Sequence, residues 1–173
     1  MPQADETTYQ IQPLGSNHDR VEFSCGVESL DRYLQRQARQ DSERKLATIF
    51  VLTSDGSTIA GFYSLSAQTI MADELPAAPA SKLPRFPLPA TLLGRMAVSE
   101  SLRGRRLGEF LLMDALRRAW LARQQVASRA VTVDAKQGAR EFYIRYGFIA
   151  STQCRDRLFY PMASIAKLFP NRG

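Results

Sequence analysis

A loop rich in glycine and arginine at residues 103–108 is the stretch of this sequence best suited to binding an anion. It consists of Arg103, Gly104, Arg105, Arg106, Leu107 and Gly108. Glycine lets the backbone approach a ligand closely, and the free N–H groups at the start of a helix, together with the helix dipole, favour a phosphate. Arginines add forked donors for the same group. Because many surface loops before helices contain the same residue types, the flanking elements must decide between a binding loop and a plain connection.

Those flanking elements are predicted to be a buried strand and an amphipathic helix. Residues 92–98, LLGRMAV, form an apolar run that closes on the β-branched Val98 and is typical of a buried strand. After the loop, apolar residues recur at helical spacing: Leu111, Leu112, Ala115, Leu116 and Ala119. Asp114, Arg117 and Arg118 are predicted to lie on the opposite, polar face. A strand that enters the loop and a helix that leaves it favour the anion-binding interpretation.

The loop resembles the acetyl-coenzyme A (acetyl-CoA) motif of the GNAT acetyltransferases, Arg/Gln-x-x-Gly-x-Gly/Ala. Arg103 and Gly108 match the two ends of this motif, whereas Arg106 stands where the family usually has its middle glycine. The resemblance implies that the loop binds the pyrophosphate of acetyl-CoA. It also implies that the preceding strand pairs its backbone with the pantetheine arm at Met96, Ala97 and Val98.

Two further stretches resemble a subgroup of this family, the acetyltransferase toxins of bacterial toxin–antitoxin pairs. They are residues 23–34, FSCGVESLDRYL, and residues 135–148, AKQGAREFYIRYGF. The second resemblance places Tyr143 on the catalytic tyrosine, which protonates the departing coenzyme A sulfur. A phenol with a pKa of about 10 stays protonated at neutral pH and suits that role. From spacing alone, an aromatic core residue beside Phe142 is the better interpretation of Tyr143, and Tyr146 is a rival proton donor.

The chemistry of the acceptor favours an α-amino group over a lysine side chain. A lysine, with a pKa near 10.4, needs a positioned base, whereas an α-amine near 7.7 to 8.0 is already partly neutral. Residues 92–98 contain no carboxylate, and Arg95 is their only charged side chain. The resemblance then implies acetylation of charged tRNA, which blocks translation, together with a homodimeric enzyme and a cognate ribbon-helix-helix antitoxin. A housekeeping acetyltransferase for a small amine or protein N-terminus, and a non-catalytic coenzyme A or RNA-binding module, remain alternatives.

Composition predicts one cytoplasmic globular domain over residues 1–173. The hydrophobic content is 45%, and the first thirty residues contain no basic segment followed by an apolar core. No apolar run approaches the roughly 20 residues that cross a bilayer, so no membrane contact is expected. Cys25 and Cys154 lie far apart and His18 is the only histidine, so we expect no metal site and interpret both cysteines as packing residues. The net charge of +6 favours polyanionic partners.

The order of predicted elements indicates a mixed α/β sheet. We expect a strand at 9–14 and a helix from near Val27 whose apolar stripe is Leu30, Tyr33, Leu34 and Ala38. The other face of that helix carries Arg32, Arg36 and Arg39, which suit either a solvated surface or, with Arg117 and Arg118, contact with RNA phosphates.

The rest of the chain predicts a hairpin, a long loop and a second group of strands. The hairpin joins 47–52 to 58–66, and residues 71–90 form an extended loop with five prolines. Strands follow at 92–98, 130–135, from 148 and at 157–162. Helical segments are expected at 137–146, ending at Gly147, and at 163–169. This order fits the GNAT fold, with a mostly antiparallel central sheet that is splayed at the acetyl-CoA site.

Overall fold

A computed structural model describes residues 7–75, 87–135 and 138–170 of the chain. Within these residues seven strands form one sheet in the order β1-β2-β3-β4-β5-β7-β6. The strands are β1 Gln10–Pro13, β2 Thr48–Thr53, β3 Gly61–Ile70, β4 Leu88–Val98, β5 Ala130–Asp134, β6 Ile149–Ala150 and β7 Arg157–Pro161. β4 and β5 are parallel, whereas β1–β2, β5–β7 and β6–β7 are antiparallel. The predicted mixed, mostly antiparallel sheet is confirmed.

The helices follow the predicted apolar stripes. The first helical stretch consists of α1 Glu28–Arg32, a π-helical turn Tyr33–Gln37 and α2 Ala38–Glu43, and it buries Tyr33, Leu34 and Ala38. Leu107–Ala122 forms α3, and Leu111, Leu112, Ala115, Leu116 and Ala119 are all buried, as predicted. α4 Arg140–Arg145 and α5 Met162–Ile165 are short.

The chain forms two compact units, and the first comprises Met1–Ser64 and Arg95–Asp114. Its core contains Phe23, Cys25, Tyr33, Leu34 and Phe62, which come from the first helical stretch, the segment before it and β3. Phe62 lies at the centre, with its ring centroid 5.6 Å from Phe23 and 6.3 Å from Tyr33. Two residues of the stretch 23–26, Phe23 and Cys25, are therefore part of this core, whereas Ser24 and Gly26 are exposed.

The second unit comprises Leu65–Gly94 and Ala115–Gly173, and its core includes Ile70, Leu88, Ala130 and Phe159. Helix α4 ends at Arg145 with Tyr146 as its C-cap, and Gly147 follows with a φ of +106°, in the left-handed region that favours glycine. The Phe148 N–H donates to Tyr143 O at 3.1 Å and closes this end. Gly147 was predicted to cap this helix, and the structure confirms it. The expected helix start at residue 137 lies outside the described residues, and α4 begins at Arg140.

The parallel ladder that joins β4 to β5 is short. It pairs Thr91 with Val131 and Leu92 with Thr132, and it ends there, while β4 itself continues to Val98. The same β5 residues remain paired with β7 along the whole strand. The segment that resembles the pantetheine strand is thus the part of β4 beyond its parallel ladder.

The prediction of a loop over residues 71–90 is wrong at its C-terminal end, because β4 already begins at Leu88. Pro89 is exposed, and its carbonyl accepts a hydrogen bond of 2.9 Å from the Arg129 N–H. A proline near the start of a strand is tolerated because no N–H is required of it there. Residues 76–86 of the expected loop lie outside the described residues. The hairpin prediction needs a smaller correction, since β3 starts at Gly61, and Thr58 forms only an isolated bridge with Asp19.

Two side chains differ from their predicted surroundings. Cys154 is exposed, so its interpretation as a packing residue is wrong, whereas Cys25 is buried as expected. Asp114 was placed on the polar face of α3, yet it is half-buried and accepts a hydrogen bond from the buried Tyr63 hydroxyl.

Among residues 7–75, 87–135 and 138–170, no helix has both the length and the apolar character to cross a membrane.

Candidate acetyl-CoA and catalytic site

The loop between β4 and α3 has the backbone geometry of an anion site. A 3-10 turn, Glu100–Leu102, precedes it, and Gly104 adopts a φ of +82°. The first hydrogen bond of α3 runs from the Phe110 N–H to Arg106 O at 3.2 Å. The N–H groups of Leu107 and Gly108 precede that bond, so the helix offers them no internal acceptor. The start of a helix of 16 residues can therefore present donors to a phosphate.

Arg106, which stands where the motif usually has its middle glycine, adopts a backbone conformation that favours glycine. Its φ is +58°, in the left-handed region that costs a non-glycine residue about 1–2 kcal/mol. The loop in the structure is shorter than predicted at its C-terminal end, because Leu107 and Gly108 already belong to the first turn of α3.

The end of β4, with Met96, Ala97 and Val98, is held closely by β3. A Cβ atom built on Gly61 would lie 2.9 Å from Ala97 O and 2.9 Å from a methyl of Leu111. Just beyond the strand, the Ser99 N–H donates to Ala60 O at 2.8 Å. Ala97 is buried, whereas Met96 and Val98 are half-buried. Glycine at position 61 permits this close approach and thereby positions the predicted pantetheine strand.

The arginines of the loop divide into two kinds. The Arg103 guanidinium donates to Cys25 O at 2.7 Å, so its side chain already has a backbone partner. Arg105 and Arg106 are exposed, and neither has a hydrogen-bond or ion-pair partner in the described part of the chain. The cations available to an incoming anion are therefore Arg105 and Arg106.

Tyr143, the predicted proton donor, lies on α4 with its ring buried. The ring makes edge contacts with Phe142 at 5.2 Å and with Phe148 at 5.3 Å. Burial raises the pKa of Tyr143 to about 12, and its hydroxyl has no hydrogen-bond partner in the ranges 7–75, 87–135 and 138–170. The ring packs as a core residue while the hydroxyl keeps its proton, so the two interpretations of Tyr143 are compatible. Tyr146 is half-buried and packs on Phe142 at 4.9 Å.

A polar cluster around Tyr33 was not predicted from the sequence. The Arg95 guanidinium lies 3.7 Å from the centroid of the Tyr33 ring, a cation–π contact that joins β4 to the first helical stretch. The Tyr33 hydroxyl donates to Asp41 at 2.8 Å. Burial first, and this carboxylate second, raise the pKa of Tyr33 to about 12. Sequence periodicity identified Tyr33 only as a stripe residue, because the Arg95 contact arises from packing.

The chain belongs to the GNAT acetyltransferase family. The family model described as an acetyltransferase (GNAT) domain matches residues 22–163. The fold and the strand–loop–helix geometry agree with this assignment, and the family predicted from the sequence is confirmed.

The chain is similar to proteins that are named as toxins, one of them a tRNA-acetylating toxin. The chain is 35% identical to a tRNA-acetylating toxin of Mycobacterium tuberculosis over 75% of this chain and 78% of that protein. A solved structure of AtaT complexed with acetyl-methionyl-tRNAfMet superposes with a TM-score of 0.87 at 27% identity and covers 94% of this chain and 99% of the other. A tyrosine-to-phenylalanine mutant of AtaT, bound to acetyl-CoA and the C-terminus of the antitoxin AtaR, superposes with a TM-score of 0.80 at 26% identity, over 95% and 99% of the two chains.

Proposed function

We propose that this protein is a toxin that transfers the acetyl group of acetyl-CoA to the α-amino group of aminoacyl-tRNA and thereby blocks translation. The similarity over three quarters of the chain to a tRNA-acetylating toxin is the observation that carries this proposal. The loop before α3 supports it, because the donors and cations there suit the pyrophosphate of the cosubstrate.

The proposed cosubstrate site divides its contacts between strand and loop. Met96, Ala97 and Val98 would pair with the pantetheine arm, and the pyrophosphate would rest on the backbone of Gly104 to Gly108. Arg105 and Arg106 would supply the cationic side chains, since both are exposed and without partners in the described residues. Arg103 would help to bind the pyrophosphate only through the position of its backbone in the loop. Replacing Gly108 with valine should abolish acetyl-CoA binding in calorimetry, and unchanged affinity would refute this placement.

The reaction needs one proton donor and no positioned base. A neutral α-amine attacks the thioester carbonyl and forms a C–N bond, and the tetrahedral intermediate then collapses as its C–S bond breaks. The sulfur leaves as a thiolate, and Tyr143 would give it a proton. The raised pKa of Tyr143 keeps that proton in place at neutral pH. The ammonium formed by the attack loses its proton to solvent, and the phenolate left on Tyr143 regains a proton from solvent.

The acceptor is tested by offering three substrates to the same enzyme. Coenzyme A release and product mass should show acetylation of charged tRNA, and none of uncharged tRNA or of peptides that end in a free N-terminus. Transfer to peptides alone would identify a housekeeping acetyltransferase. Binding of acetyl-CoA without transfer to any acceptor would identify a non-catalytic module, and either result would overturn the proposal.

The protein would act in the cytoplasm as a homodimer that a small ribbon-helix-helix antitoxin holds inactive. The AtaT structure with the C-terminus of AtaR supports an antitoxin partner of some type. We further propose that residues 1–173 form a single GNAT domain. Light scattering of the purified protein should give twice the mass of the 19.4 kDa chain. A monomer at micromolar concentration would refute the dimer, and harmless expression without a partner would refute the toxin.

A further inference from the structure

The Phe-x-Cys-Gly stretch at residues 23–26, which resembles the toxin subgroup, contacts the segment that leads into the proposed acetyl-CoA loop. The Glu100 N–H donates to Ser24 O at 2.9 Å, and the Arg103 guanidinium donates to Cys25 O at 2.7 Å. The Ser24 hydroxyl adds a longer bond of 3.4 Å to the Glu100 carboxylate. Three hydrogen bonds thus join segments 76 and 78 residues apart in the chain.

The stretch is itself held rigidly by the first helical segment and by the core. The Cys25 N–H donates to the Asp31 carboxylate at 2.8 Å. Phe23 and Cys25 are 4% and 5% exposed, and both pack in the core with Phe62. Burial raises the pKa of the Cys25 thiol to about 11, so the cysteine stays protonated and serves as a packing group. A carbonyl fixed in this way can orient the donor that binds it.

Gly26 makes the contact possible. Its φ of +85° favours glycine, and a Cβ atom built on it would lie 2.8 Å from the Arg103 guanidinium and 2.8 Å from the Glu100 carboxylate. A side chain at this position would therefore strain the backbone and push Arg103 away from Cys25 O. Arg103 in turn closes the 3-10 turn, since its N–H donates to Glu100 O at 3.4 Å, and the next residue is Gly104 of the loop.

We propose that residues 23–26 and Arg103 form a clamp that holds the loop 104–108 in the conformation that binds acetyl-CoA. Arg103 is then a positioning residue that acts through the loop backbone, and its charge does not contact the pyrophosphate. This inference rests on the proposed acetyl-CoA site in the same loop. The alternative role for Arg103 is that of a phosphate ligand, and the two roles differ in their dependence on salt.

Calorimetry of acetyl-CoA binding at several salt concentrations tests the clamp. Arg103→Met removes the donor and should weaken binding about tenfold, the typical effect of losing one hydrogen bond to a charged donor. Arg103→Gln loses the charge but keeps an amide donor for Cys25 O, so it should weaken binding less and keep the salt dependence of the wild type. The matched control is Arg105→Gln, which removes an exposed, unpartnered cation and should reduce the salt dependence.

A second variant disturbs the contact between Arg103 and Cys25 O at residue 26. Gly26→Ala should raise the KM for acetyl-CoA about tenfold and leave kcat within about twofold, since the loop and not the chemistry is disturbed. Combined with Arg103→Met it should add little, because both changes break one contact. If Arg103→Gln reduces the salt dependence as Arg105→Gln does, or if the two clamp variants add fully, the clamp is refuted. If the wild type does not bind acetyl-CoA, the proposed function itself fails.

Discussion

Tyr143 combines a buried ring with a hydroxyl that has no partner among the described residues. Burial favours the neutral phenol and raises the pKa to about 12. A donor whose pKa is so far above neutral stays protonated at neutral pH, and the raised pKa also makes it a weaker acid toward the departing sulfur. At the scale of single residues, the proposed chemistry therefore depends on where this one ring is packed.

Replacing Tyr143 with phenylalanine should remove the acid and keep the ring. We expect the rate of acetyl transfer to fall by about 100- to 10,000-fold, which is about 3 to 5.5 kcal/mol of barrier, while acetyl-CoA affinity persists. Single-turnover transfer to charged tRNA measures this loss. Tyr146→Phe is the matched control and should keep its rate; the reverse result would transfer the role to Tyr146.

The rate of acetyl transfer should depend on the titration of only one group below about pH 10. Transfer should accelerate as the α-amine loses its proton near pH 7.7 to 8.0 and then stay level, because Tyr143 remains protonated until about pH 12. The raised pKa also stabilises the fold. That contribution is complete below the unfolded tyrosine value of about 10 and is lost as the pH rises through 12. Rates on an amide-linked charged tRNA analogue test this profile, and a decline between pH 8.5 and 10 would exclude Tyr143 as the acid.

Arg106→Gly should relieve backbone strain at the same time as it removes a cation. The left-handed φ of +58° costs arginine about 1–2 kcal/mol, and the greater freedom of glycine in the unfolded chain offsets about 0.4–1 kcal/mol of the gain. We expect the free energy of unfolding to rise by up to about 1 kcal/mol and acetyl-CoA affinity to fall. Denaturant unfolding measures the first effect. Arg105→Gly, at a residue without a positive φ, is the control and should lose stability.

At the scale of elements, the end of β4 is held by its neighbours in the first unit. β3 approaches it closely at Gly61, the Ser64 hydroxyl accepts a hydrogen bond from the Arg95 N–H at 3.0 Å, and Arg95 stacks on Tyr33. Such contacts fix a strand segment beyond its parallel ladder. A pantetheine arm would bind to a strand whose position is already set.

Gly61→Ala should disturb this segment directly. The new methyl would lie 2.9 Å from Ala97 O and from Leu111, so the strand must shift by several tenths of an ångström. Overpacking of this kind costs about 1–3 kcal/mol, and we expect weaker acetyl-CoA binding as well. Thermal unfolding and calorimetry measure the two effects. Ala67→Val enlarges an exposed residue of the same strand and should change neither; normal acetyl-CoA affinity in Gly61→Ala would show that β3 does not set the position of β4.

At the scale of the whole molecule, the net charge of +6 is the property most relevant to a nucleic-acid substrate. The predicted RNA-binding arginines of the first helical stretch are not equivalent. Arg32 pairs with Glu28, and Arg39 pairs with Glu43 at 2.9 Å. Arg36 is exposed and has no partner among the described residues. Exposed ion pairs are weak, but they reduce the positive potential available to a phosphate.

Arg36→Ala should therefore weaken tRNA binding more than Arg39→Ala does. Loss of one phosphate contact should lower the slope of log affinity against log salt by about 0.7 to 0.9. Filter binding over a salt series measures both the affinity and the slope, with Arg39→Ala as the matched control. Equal slopes for both variants and the wild type would assign Arg36 to the solvated surface.

Local sequence predicted most of the helices and strands and drew attention to the loop at 103–108. Each of these predictions depends on residues only a few positions apart in the chain. Examples are the apolar stripe of α3, the glycine after α4 and the motif at 103–108. The same information identified Tyr143, although it left two roles open that the fold shows to be compatible.

Only the tertiary structure decided which partners these residues have. Arg103 was predicted to face an anion, yet its guanidinium binds a carbonyl 78 residues away. Asp114 was predicted to lie on the polar face of α3, yet it accepts a hydrogen bond from the hydroxyl of a tyrosine 51 residues earlier. The start of β4 was read as loop because prolines oppose regular structure locally, whereas its pairing with distant residues places Pro89 where no N–H is needed. Such contacts follow from packing between segments far apart in the chain, and periodicity within one segment carries no information about them.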